Sequence, residues 1–141
     1  MNQVAIIYWS GTGNTQAMAQ SVLEGAQSKG ASAQIFTPSE FQADRIREFD
    51  TLAFGCPAMG AEVLEEEEFE PLFAECESKL SGKKIALFGS YGWGGGEWMR
   101  DWEERCRACG ANQITESVIC ENMPEDSTLE RCRVLGELLA E

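Results

Sequence analysis

Short apolar runs alternate along this chain with stripes of apolar residues at helical spacing, and that alternation predicts an α/β fold. The runs are continuous and rich in β-branched or aromatic residues, the pattern of strands buried on both faces of a parallel sheet. The chain has 141 residues, 43% of them hydrophobic and 25% charged, which suits one domain with a sizeable core.

The first run, 4–9 (VAIIYW), predicts strand one. After it, Met18, Ala19, Val22, Leu23 and Ala26 recur at steps of three or four and predict a helix. Run 33–36 (AQIF) is the second strand, and the connection 37–48 holds at most a short helix. Run 52–56 (LAFGC) is the third, followed by a stripe of Phe69, Leu72, Phe73, Cys76 and Leu80. Run 85–89 (IALFG) is the fourth, followed by Trp98, Trp102, Cys106 and Cys109. Run 118–120 (VIC) is the fifth, and Leu129, Cys132, Leu135 and Leu139 mark the last helix. No repeat, linker or change of composition divides the chain. Residues 1–141 therefore read as one domain, with five parallel strands joined by right-handed crossovers.

Charge removes several function classes. Twenty-four acidic residues against 11 basic ones leave a formal charge of −13. Nucleic acid requires a basic surface and an anionic membrane repels such a chain, so neither is an expected partner. The chain has no histidine, which removes Ser-His-Asp and Cys-His catalysis, histidine-ligated metals and the histidine pH switch. No apolar run approaches the ~18 residues of a membrane span. Residues 1–9 lack a basic stretch and a small-residue cleavage site, so no signal peptide is read and a cytoplasmic location is expected.

The six cysteines, at 56, 76, 106, 109, 120 and 132, are expected to be reduced thiols. Cys106 and Cys109 have the spacing of a redox or zinc pair. Zinc needs a second pair of ligands, however, and both cysteines continue the stripe of Trp98 and Trp102, so core packing is the reading. No spacing fits an iron–sulfur cluster, and no metal is expected. The run Glu65 to Glu68 reads as a solvated first helical turn, favourable to the helix dipole and close enough to the site below to join a docking surface.

In an open parallel sheet, ligands bind beyond the carboxyl ends of the strands, where the winding direction reverses. Strand one runs into Ser10-Gly11-Thr12-Gly13-Asn14-Thr15, and a helix opens at once. Two glycines let the backbone turn tightly, four polar side chains add donors, and the helix N-terminus adds positive potential. The loop lacks the lysine of a nucleoside-triphosphate loop, and Gln16 stands where a dinucleotide loop has its third glycine. A phosphate monoester suits it. Strand three runs into Cys56-Pro57-Ala58-Met59-Gly60-Ala61-Glu62, and strand four into Ser90-Tyr91-Gly92-Trp93-Gly94-Gly95-Gly96. Met59 and Trp93 are placed to grip a flat aromatic ligand between a thioether and an indole face.

A phosphate cradle beside a slot for a planar ring reads as a flavin mononucleotide (FMN) site. At YWSGTGNT, GCPAMG and GSYGWGGGEWM the chain resembles the flavodoxins, in particular the short-chain type, over its whole length. The uninterrupted stretch 112–121 carries the short-chain assignment. The resemblance implies a three-layer α/β/α sandwich with strand order 2-1-3-4-5, for which this family is itself the type example. It implies that Ser10 to Thr15 hold the FMN phosphate, that Met59 and Trp93 flank the isoalloxazine ring, and that Glu62 accepts from flavin N3–H. It further implies that backbone groups of Pro57 to Ala61 and of Ser90 to Gly94 contact the ring and ribityl edges, with Asn122 at the rim. One departure is Ala61, where several relatives carry Gly, Asp or Asn. The expected function is a low-potential carrier that passes single electrons between redox partner proteins with basic docking patches. Its FMN would cycle mainly between semiquinone and hydroquinone, and the carrier would be a monomer. The alternative is a small FMN-dependent quinone or nitro reductase, for which a chain this short with short loops leaves no second substrate site.

Overall fold

Along β1 (Gln3–Tyr8) the side chains fall alternately into two cores, and this period of two sets the layers of the molecule. Val4 and Ile6 face one layer, while Ala5 and Ile7 face the other. The same alternation runs through β3 (Thr51–Gly55) and β4 (Lys84–Tyr91), where Leu52, Phe54, Ile85 and Leu87 oppose Ala53, Ala86 and Phe88. The computed structural model describes residues 2–59, 63–92 and 94–141. Gly60, Ala61, Glu62 and Trp93, to which the sequence assigns parts of the site, lie outside the described residues.

The strands run parallel in the order β2-β1-β3-β4-β5, with β2 spanning Ser32–Phe36 and β5 Asn112–Gln113. Helices α1 (Asn14–Ser28) and α4 (Asp126–Leu139) cover one face. Helices α2 (Phe69–Glu77) and α3 (Glu97–Ala108) cover the other, together with two 3₁₀ turns at Pro38–Glu40 and Ala43–Glu48. The helical stripes read from the sequence face the sheet apart from Leu129, which stays out of both cores; Trp98, Trp102 and Cys106 are buried as expected, and Cys109 is half-buried against them. Arg105 ties α3 to α2: its guanidinium bonds both carboxylate oxygens of Glu70 and both of Glu77, and lies 5.0 Å over the Phe73 ring. No helix among the described residues is long and apolar enough to cross a membrane.

Two features differ from the sequence reading. The fifth strand is split into β5 (Asn112–Gln113), paired with the start of β4, and β6 (Val118–Glu121), paired with its end. The polar residues Thr115, Glu116 and Ser117 leave the ladder between them. Gln113 bridges the gap by donating to the Thr115 carbonyl and the Ser117 hydroxyl. Because β6 pairs as far as Tyr91, Ser90 and Tyr91 belong to β4 and not to the loop after it.

Helices α1 and α4 meet through glycines. A Cβ on Gly25 would stand 1.9 Å from the Arg133 carbonyl oxygen, and one on Gly136 would stand 2.0 Å from that of Val22. Neither backbone can yield without prising the helices apart. Gly25→Ala is therefore expected to lower stability by roughly 1–3 kcal/mol through overpacking, against alanine's ~1 kcal/mol advantage in helix propensity. Urea unfolding measures it, and an unchanged midpoint would contradict the close helix contact.

Candidate functional site

The chain leaves β1 at Trp9, whose N–H still donates to the Gly55 carbonyl at 3.0 Å, and turns directly into α1. Gly13 makes that turn in the left-handed region, at φ 97°, where a side chain would be strained. Its N–H is taken by the Ser10 hydroxyl at 3.0 Å, and its carbonyl receives the Ala17 N–H as the first bond of the helix. Among the described residues, none supplies an acceptor to the N–H groups of Gly11, Thr12, Asn14, Thr15 or Gln16. An α-helix always leaves its first N–H groups open, and here they lie together with the hydroxyl of Thr12 and the amide of Asn14. Thr15 is buried, with its hydroxyl 3.4 Å from that of Ser90. This hydroxyl pair joins the first loop to the end of β4.

These residues line one wall of a cleft at the carboxyl edge of the sheet. Ser10, Gly11, Thr12, Asn14 and Thr15 stand on it, opposite Pro57, Ala58 and Met59 after β3, Ser90, Tyr91 and Gly92 at the end of β4, and Asn122 after β6. The structure thus brings together most of the described residues that the sequence assigns to the site. Gly13 and Gly94 stay out of the wall. Gly13 shapes the turn, and Gly94, at φ 87°, belongs to the turn that leads into α3.

Several backbone groups expected to face a ligand are already used. The Ala58 N–H donates to the Ser90 carbonyl, the Met59 N–H to the Val63 carbonyl, and the Asn122 N–H to the Tyr91 carbonyl. Met59 and Val63 exchange both of their N–H bonds as an isolated antiparallel bridge. Asn122 sits in the left-handed region at φ 60°, a conformation that asparagine tolerates better than most residues.

Two residues escape the sequence reading. Trp9 reads as the end of an apolar strand, yet it lines the cleft, with its ring against Gly11; a Cβ there would be 3.0 Å from the indole. The signal lay in a large aromatic two positions before the first glycine of the loop. Glu65 reads as a solvated acid and is not: it is only 6% exposed. Burial pushes its pKa up, but N–H bonds from Phe69, Glu68 and Glu67 outweigh that and hold the carboxylate below its usual range. Glu66, Glu67 and Glu68 are exposed, as expected.

None of the described residues lining the cleft is charged, in a chain of formal charge −13. The cleft therefore offers donors and apolar surface without a fixed carboxylate among those residues. Cys56, at the base of the loop that follows β3, is buried, and burial pushes its thiol pKa upward, away from nucleophilic use.

The flavodoxin family model matches residues 6–136. The flavodoxin of Clostridium beijerinckii is 45% identical over 135 residues, 96% of this chain and 97% of that protein. The flavodoxin of Megasphaera elsdenii is 43% identical over 137 residues, 97% of this chain and 98% of that one. The solution structure of the two-electron reduced Megasphaera elsdenii flavodoxin matches the fold with a TM-score of 0.89, over 97% of this chain and 98% of that one. An archaeal flavodoxin, 26% identical, matches with a TM-score of 0.85 over 98% of this chain and 96% of that one. This chain belongs to the flavodoxin family.

Proposed function

We propose that residues 1–141 act as one FMN-binding domain that carries single electrons between redox proteins and converts no substrate of its own. The observation that carries this reading is the cleft itself, with open N–H groups at one end, apolar surface at the other and no charge among its described walls. A phosphate ester attached to a flat ring has the matching chemistry. The phosphate is assigned to the N–H groups at the start of α1 and to Ser10, Thr12, Asn14 and Thr15. Met59 and Trp93 are assigned to the faces of the ring and Glu62 to its N3–H. Pro57, Ala58, Gly60, Ala61, Ser90, Tyr91, Gly92, Gly94 and Asn122 are assigned to its edges, with Trp9 added as part of the wall. When bound, FMN supplies the one-electron chemistry. The chain's own residues bind and orient it, and the walls described carry no charged side chain.

The charge of −13 and the exposed Glu66, Glu67 and Glu68 favour partners with basic patches, met by a monomer in the cytoplasm through a small transient interface. Partner on-rates, read by stopped flow, are expected to fall as salt rises, whereas rates independent of ionic strength would contradict charge steering.

Thr12→Ala tests the phosphate assignment. Thr12 is exposed on the cleft, so its loss removes a donor to a charged acceptor without opening the core. FMN binding should weaken by roughly 1.5–3 kcal/mol, while binding of riboflavin, which lacks the phosphate, stays as in the wild type. Equal affinity of the wild type for FMN and riboflavin would overturn the assignment.

A further inference from the structure

The loop carrying Met59 is held at both ends by residues that do not line the cleft, and we propose that Cys56 and Glu65 form a positioning clamp that sets how tightly the ring side of the cleft binds. The inference rests on the reading of that cleft as an FMN site. At the entry, two elements, β4 and α3, fix Cys56. Its N–H donates to the Phe88 carbonyl at 3.2 Å, and its carbonyl accepts the Trp98 indole N–H at 3.1 Å. Gly89 lies so close that a Cβ there would stand 2.3 Å from the same carbonyl oxygen. At the exit, the Glu65 carboxylate accepts N–H bonds from Glu67, Glu68 and Phe69, each at 2.8 Å. Its own carbonyl accepts the Glu70 N–H, also at 2.8 Å. Phe69 is fully buried, edge-on to Trp102, so this end is anchored in the core.

The two ends are then joined to each other. The Glu65 N–H donates to the Cys56 sulfur at 3.4 Å across nine residues of chain. Inside that closure Met59 and Val63 exchange both of their N–H bonds and hold the loop a second time. A segment ordered before its ligand arrives loses little further freedom on binding, and that difference appears as affinity. A clamp on this loop therefore acts on the ring and leaves the phosphate end at α1 unchanged.

Glu66 supplies the control. It carries the same charge one residue away, is exposed, and accepts none of these N–H bonds. The full-length protein is compared with Glu65→Ala, Glu65→Gln, Cys56→Ala and Glu66→Gln. The readouts are the dissociation constants for FMN and riboflavin, and the two one-electron potentials of bound FMN. Glu65→Ala should weaken FMN and riboflavin by the same factor, at least about tenfold. Glu65→Gln, which retains one carbonyl oxygen but turns an NH₂ group on the Glu67 N–H, should fall between it and the wild type. Glu66→Gln should leave both affinities within about twofold, as expected for an exposed charge. The potentials should shift further in Glu65→Gln than in Glu66→Gln, although each removes one charge. Lower thermal stability with unchanged affinities and with potentials equal to those of Glu66→Gln would reduce Glu65 to an ordinary helix cap and overturn the proposal. If Glu65→Ala does not fold, Glu65→Gln and Cys56→Ala decide it by the same criteria. A wild type that binds no FMN would instead overturn the reading beneath.

Discussion

The start of α1 is the constraint around which this structure is arranged. Five N–H groups, on Gly11, Thr12, Asn14, Thr15 and Gln16, have no acceptor among the described residues, and a helix dipole stands behind them. The fold holds that terminus firmly. Gly25 and Gly136 let α1 lie against α4 backbone to backbone, and Thr15 is buried against Ser90 at the end of β4. The donors are therefore fixed relative to the sheet before any anion arrives, which is the condition for binding a dianion with neutral groups alone.

The chain separates its charges accordingly. A formal charge of −13 would oppose any anionic ligand, yet the described cleft walls are uncharged and the exposed run Glu66 to Glu68 lies outside them. Glu65 is the acid turned inward, and there it serves α2 by taking up N–H groups that the helix itself cannot satisfy. Negative charge thus stands on the surface, while neutral donors line the described cleft walls. Behind the cleft the packing leaves no slack: the Cys56 carbonyl, held by the Trp98 indole N–H, occupies the space that a side chain at Gly89 would need.

The centre of the sheet was legible because β1, β3 and β4 are buried on both faces, so each reads as an apolar run such as VAIIYW. The fifth strand was legible only in part. Its first half is two polar residues, Asn112 and Gln113, which pair with β4 through backbone bonds that no side-chain pattern announces. The first loop was legible because glycines and hydroxyl residues at a strand-to-helix turn have few other uses. Glu65 was not, because four consecutive glutamates look alike until the chain folds and one of them faces back onto the N–H groups of the others. Trp9 was hidden for a related reason: an aromatic at the end of an apolar run is indistinguishable from core until the loop beyond it turns.

Phosphorus-31 magnetic resonance of the FMN-loaded protein tests whether donors alone hold the phosphate. A phosphate monoester in water takes up its second proton near pH ~6. Surrounded by N–H and O–H donors, with no acid nearby to share a proton, the bound group should stay dianionic well below that value. Its resonance is then expected to remain constant between about pH 5 and 8, across the range in which free FMN titrates. A bound phosphate that titrates at its ordinary value would contradict the account.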